Sequence, residues 1–163
     1  MSGVSAAELA NHAFARGLSA ERLDRLAALA STVKMPAGQR FFEEGGHASK
    51  LWLISSGRVV LDLRVPGQQR LIVETLGPGD ELGLSWLSPA AQWQFGAYAQ
   101  LPVSAFELPT AGLVELCEAD YELGYQLTRR LLGTAISRLQ AARIRILDLY
   151  GAPASAAGPG GSP

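Results

Sequence analysis

From Pro36 to Leu108 the chain never holds a helical period, and Gly or Pro interrupts it every few residues. Pro36-Ala37-Gly38-Gln39 reads as a turn, Arg40-Phe41-Phe42 as a short strand and Glu44-Gly45-Gly46 as a second turn. Leu51-Trp52-Leu53-Ile54 is a continuous apolar run of strand length. Ser56-Gly57 reads as a turn into Arg58–Val65, Pro66-Gly67 as a reversal into Arg70–Leu76, and Gly77-Pro78-Gly79-Asp80 as another turn. Trp93–Ala99 alternates apolar and polar residues, and Val103–Leu108 alternates again. Strands this short, closed by turn residues at this spacing, predict an antiparallel β-sandwich or barrel.

Helical signals lie on either side. A short helix is predicted over Ala6–Phe14. Ser19 can cap a second helix through Ser31, in which Leu23, Leu26, Ala27, Leu29 and Ala30 share a face. Thr110, just after Pro109, can cap Ala111–Glu118. A long helix follows from about Asp120 to Tyr150. Its stripe of Leu127, Leu131, Ala135, Leu139, Ala142 and Ile146 steps by fours and threes, the spacing of a seam between two helices. At 1.5 Å per residue such a helix is roughly 45 Å long, longer than a roll of this size is wide, at roughly 30–35 Å. A homodimer through this helix is therefore expected. Residues 1–150 are read as one domain, with the helix from about 120 as its last element, and residues 151–163, which are only Gly, Ala, Pro and Ser, as a disordered tail.

The turns carry a resemblance. Pro36-Ala37-Gly38-Gln39, Phe42, Glu44, Gly45, Leu53, Ile54, Ser56, Gly57, Gly77, Gly79 and Asp80 follow, in order and spacing, the glycine-marked corners of the cyclic-nucleotide-binding domain. The chain resembles that domain of the catabolite-activator and fumarate–nitrate regulator superfamily from about Leu18 to Tyr150. The resemblance implies an antiparallel β-roll (jelly roll), mainly β with flanking helices, followed by the long C-terminal helix. It also implies a phosphate-binding cassette after the Gly-Asp turn, where the family places a glutamate on the ribose and an arginine on the cyclic phosphate.

Here that run is Gly79-Asp80-Glu81-Leu82-Gly83-Leu84-Ser85-Trp86-Leu87-Ser88-Pro89. Aligned without a gap from Gly79, Leu84 stands at the glutamate position. Aligned backward from Ala97-Tyr98-Ala99, Trp93 stands at the arginine position and Gln94 follows it. A second register, with two residues deleted, would put Glu81 on the ribose. In either register no Lys or Arg lies between Arg70 and Arg129, so the cassette supplies no cation. The candidate pocket is thus a degenerate cassette of Gly83, Leu84, Ser85, Trp86, Trp93 and Gln94. Its aromatics, Trp86, Trp93 and Phe95, can stack a planar ligand or fill the old pocket as core, and core filling is the stronger reading.

Charge adds an asymmetry. Leu71–Thr128 holds eight acids and no base, whereas Arg129, Arg130, Arg138, Arg143 and Arg145 follow with only Asp148 against them. Those arginines are expected to pair with acids elsewhere or with solvent rather than to form a patch for nucleic acid or an acidic partner. The residues after Tyr150 offer nothing to a helix-turn-helix, so direct sequence-specific DNA reading is not expected. His12, His47 and the lone Cys117 make no metal cluster, and no nucleophile elbow or Gly-rich phosphate loop is present. Neither a membrane span nor a signal peptide is read, and a cytoplasmic location follows from the single cysteine. The expected function is a non-enzymatic regulatory, sensor or assembly subunit that acts through a protein partner and needs no cofactor, with a small-molecule ligand compatible. Two alternatives stay open: a cyclic-nucleotide (cAMP) binder with a non-standard pocket, and a transcriptional regulator of the same superfamily acting through a partner.

Overall fold

Ser5 and Glu8 open the first helix by capping each other: the Ser5 hydroxyl accepts the Glu8 N–H at 3.2 Å and the Glu8 carboxylate accepts the Ser5 N–H at 2.9 Å. The structure, a computed structural model, describes residues 3–151. Helix α1 spans Ala6–Ala10 and stops short of the predicted Phe14. There His12 turns its Nδ1 onto the Phe14 N–H at 3.2 Å, a local bond that competes with helix. Helix α2 spans Ala20–Leu29, capped by Ser19 as expected. It ends before Ser31 because that residue begins a strand.

Six strands follow: β1 Ser31–Met35, β2 Arg40–Phe42, β3 Lys50–Leu63, β4 Leu71–Leu76, β5 Glu81–Leu82 and β6 Gly96–Pro109. Every pairing is antiparallel, in the order β1-β6-β3-β4, with β2 added on β6 and β5 on β3. The sheet bends into the roll without closing. Ser56-Gly57 is not the turn its residues suggest. β3 runs through it for 14 residues, and its register against β6 shifts between Ile54 and Arg58. Gly57 sits at φ +93°, and a Cβ there would strike the Pro102 carbonyl of β6, so the glycine makes a bulge that lets two long strands stay in contact. For the same reason Trp93–Ala99 and Val103–Leu108 are not separate strands: most of both belongs to β6.

The continuous run Leu51–Ile54 marks a strand buried on both faces. Leu51 and Leu53 join Leu108 under the helices, whereas Trp52 and Ile54 join Val59 and Leu61 inside the roll. Helix α3 spans Thr110–Ala119 with Pro109, not Thr110, at its cap position; the Thr110 hydroxyl instead donates to the Ala48 carbonyl at 3.3 Å. Helix α4 spans Tyr121–Gly151. Asp120 starts it by accepting the Leu123 N–H at 3.1 Å, and Arg22 and Arg25 of α2 donate to the same carboxylate at 2.9 and 3.1 Å. Gly151, read as tail, is still helical and is the last described residue, and the rest of the expected tail lies outside the described residues.

Leu127 and Leu131, read as seam positions for a second copy, are 3% and 1% exposed and pack against Leu9, Phe14, Leu26 and Leu113 of the same chain. Beyond them Ala135, Leu139 and Ala142 still face the roll, across a cavity, and Ile146 is the stripe position that is exposed away from it. No helix among the described residues is long and apolar enough to cross a membrane.

Candidate functional site

After β5 the chain must turn sharply back across the mouth of the roll, and Gly83 makes that possible. It sits at φ +102°, and a Cβ there would come within 2.8 Å of the Lys50 carbonyl. One 3-10 turn, Leu84–Leu87, follows. Between this turn, the roll and the second half of α4 lies a cavity of about 320 Å³, within the usual range for small-ligand sites. Phe42, Leu61, Val73, Leu82 and Phe95 form its floor and sides, Gly83, Leu84 and Ser85 one rim, and Ala135, Arg138, Leu139, Ala142 and Arg145 the helical wall.

Three of the six cassette residues therefore line the cavity and three do not. Trp93 is 5% exposed and stacks on Phe42 with ring centroids 3.8 Å apart and planes 11° from parallel. Phe42 also stacks on Trp52 at 5.6 Å, and Trp52 meets Trp93 at 5.9 Å, so Trp93 belongs to a three-ring cluster in the core of the roll. Trp86 is wedged between the two cores, its indole N–H buried without a partner. Gln94 is exposed; its amide donates to the Gln92 carbonyl at 3.2 Å. Core filling thus describes the tryptophans, while Phe42 and Phe95 are the aromatics that face the cavity.

The charges come from an unexpected side. Glu81 is buried outside the cavity lining, where its carboxylate accepts the Thr134 hydroxyl at 3.0 Å and its carbonyl accepts a bond from Arg138. Arg40 and Arg70 do not line the cavity either; both are tied to Asp62, which is 2% exposed, at 2.7 and 3.3 Å. The Arg40 hydrogen bonds hold the Asp62 carboxyl below the usual carboxylate range. The cations at the cavity are Arg138 and Arg145 of α4. Arg138 stands 3.7 Å from the Glu74 carboxylate. Arg145 donates to the Val73 carbonyl at 2.8 Å and meets no carboxylate within salt-bridge reach among the described residues.

Sequence reading missed these two because it searched the cassette. The signal was there: Ala135, Arg138, Leu139, Ala142 and Arg145 recur at steps of three and four, one face of one helix. Arg130 also turns inward, donating to the Phe14 carbonyl at 2.6 Å. Three of the five late arginines are thus engaged within the chain, although mostly by carbonyls rather than by the expected acids.

An open antiparallel roll with a cavity rimmed by a glycine-led turn and walled by a long terminal helix places the chain among the β-roll domains. The chain belongs to the cyclic nucleotide-binding domain family, whose model matches residues 32–120. A solved protein of Geobacter metallireducens assigned to cyclic nucleotide binding is similar over 83% of this chain and 98% of its own, at 26% identity and a TM-score of 0.75. The catabolite activator protein of Thermus thermophilus is similar over 85% of this chain and 62% of its own, at 25% identity and a TM-score of 0.65. Glutaminase 2 of Bradyrhizobium diazoefficiens is 27% identical over 144 residues, 88% of this chain, and the chain spans only 22% of that protein's length.

Proposed function

We propose that residues 1–150 form a cytoplasmic, non-enzymatic regulatory module. Its pocket takes a small molecule other than a cyclic nucleotide held in the family's usual way, and α4 reports occupancy to a protein partner. The carrying observation is that one helix has two roles. Ala135, Arg138, Leu139, Ala142 and Arg145 wall the cavity, while Ile136, Ile144, Leu147 and Leu149 on the same turns are exposed. A ligand that alters how α4 seats on the roll alters the apolar surface that α4 offers. The natural first occupant of that surface is the same helix of a second copy, because an uncovered stripe of leucine and isoleucine invites aggregation. The domain-sized match inside a much longer glutaminase supports an enzyme as the kind of protein such a module controls.

The cation-free cassette is the reason to exclude the usual ligand. A charge-assisted hydrogen bond to phosphate is worth about 1.5–3 kcal/mol, so its loss weakens binding about tenfold to 150-fold. A second reading, cyclic nucleotide held in a non-standard way, is favoured by Arg138 and Arg145, which could meet the phosphate from the helix side. Calorimetry with cyclic AMP and cyclic GMP decides between them. Dissociation constants well above about 1 µM are expected, and a tighter value for either nucleotide overturns the first reading in favour of the second. Sedimentation tests the self-pairing: Ile144→Glu with Leu147→Glu, both outside the cavity wall, should convert a dimer into a folded monomer.

A further inference from the structure

Resting on the reading that this cavity holds a small molecule, we infer that its ligand is an amphipathic monoanion. An apolar or aromatic body, bearing one carboxylate, lies in the roll with its charged end on Arg145 of α4, not on the turn at Gly83–Leu87. The floor is hydrocarbon and aromatic: Phe42, Leu61, Leu82 and Phe95 offer no polar side-chain atom. A ligand rich in polar edges would bury them there without partners, which is costly.

The charges select the sign and the number. Arg138 is committed, bound to the Glu81 carbonyl and facing Glu74, so the pair is nearly neutral. Among the described residues Arg145 holds only the Val73 carbonyl, keeps further N–H donors and meets no compensating carboxylate. A guanidinium in that condition takes a carboxylate in a two-point bond. A dianion would set its second charge against Glu74. A cation would meet Arg145 itself.

The placement also gives the ligand leverage. Arg145 lies two turns past Arg138, about 10.5 Å along the axis, in the half of α4 that the protein core does not cover. A carboxylate bridging the roll and Arg145 fastens that half onto the roll.

Decanoate and decanol are the probes, because they share a body and differ in the charged end. Calorimetry on the full chain should show saturable one-to-one decanoate binding. Decanol should bind up to about fivefold more weakly, the span expected for one solvent-exposed ion pair. Arg145→Gln should weaken decanoate by a similar factor and leave decanol unchanged, and Arg145→Lys, which keeps the charge but not the two-point fork, should restore only part of the loss. If Arg145→Gln melts early by circular dichroism, the comparison of the two probes on the wild type still decides. Equal affinity for both probes, or decanoate binding unmoved by Arg145→Gln, overturns the inference and leaves the pocket reading intact. Failure of decanoate to bind saturably also overturns it. Micromolar binding of cyclic AMP instead overturns the pocket reading on which it rests.

Discussion

The two halves of α4 carry the same apolar spacing and meet different surroundings. Leu123, Leu127 and Leu131 are buried among α1, α2 and α3, whereas Leu139, Ile146 and Leu149 continue the stripe at 51%, 53% and 80% exposure. The spacing tells which residues share a face. It does not tell what covers the face, which depends on how far neighbouring elements reach along the helix axis. In the first half the covering helices end on the stripe. In the second half the roll-facing positions are Ala135, Arg138, Leu139, Ala142 and Arg145, and small or charged residues there leave a cavity where leucines would have made core.

The largest effect should come from equalising the two halves. Leu131→Ala removes a side chain that is 1% exposed and should lower the unfolding free energy by about 2–5 kcal/mol. Leu139→Ala on the same stripe loses a half-exposed side chain and should cost about 1 kcal/mol or less. Urea denaturation of both variants measures the contrast. Equal losses would mean that Leu139 is already covered, and that the halves do not differ.

The boundary between the halves comes next. Thr134 is the first polar residue past the buried stripe, and it donates to the buried Glu81 carboxylate at 3.0 Å. Thr134→Val keeps the shape and removes the donor, and should cost about 1.5–3 kcal/mol. Thr134→Ser keeps the hydroxyl and should cost much less. If the two variants denature alike, the hydroxyl does not anchor the helix at this point.

A smaller effect separates the halves by pH. Hydrogen bonds from Arg22 push the Asp120 carboxyl down to about 2, below its ordinary value of about 3.9. The carboxylate is thus the form that the folded chain prefers. Its contribution is complete above the ordinary value and disappears as pH falls through that interval toward about 2. Acid should therefore loosen the start of α4, and Asp120→Asn should flatten the acid limb of the denaturation profile while lowering stability at neutral pH. A profile unchanged by the substitution would mean that Asp120 does not fasten α2 to α4.

The same contrast shows what was legible in the residues. The glycine-marked corners gave the roll and its family, because a left-handed backbone leaves a direct trace in composition. Gly57 was misjudged because a bulge and a turn ask for the same residue, and only the partner strand at Pro102 distinguishes them. Half of the candidate pocket was readable: Gly83, Leu84 and Ser85 line it because the Gly-Asp turn fixes where the chain crosses the mouth. Trp93 was left between two readings, with core filling the stronger, because an aromatic near a pocket can face either way, and its stacking on Phe42 is a tertiary fact. Arg138 and Arg145 were overlooked as pocket residues because they lie more than 40 residues beyond the cassette, on a helix read for an apolar seam and a basic run rather than for a wall of the pocket.

The smallest effect sharpens the comparison furthest. Ile146 belongs to the exposed half and does not line the cavity, so within one chain Ile146→Ala should change stability by no more than about 0.5 kcal/mol. If a second copy covers this half, the native state is a dimer, and stability rises with protein concentration by mass action. The cost of Ile146→Ala should then grow as the protein is raised from about 1 µM to tens of micromolar, while the cost of Leu131→Ala at the buried end keeps a large concentration-independent part. Denaturation at the two concentrations reads this directly. A cost for Ile146→Ala that stays small at both would remove self-pairing as the account of the exposed half, and a different protein would be the better candidate to cover it.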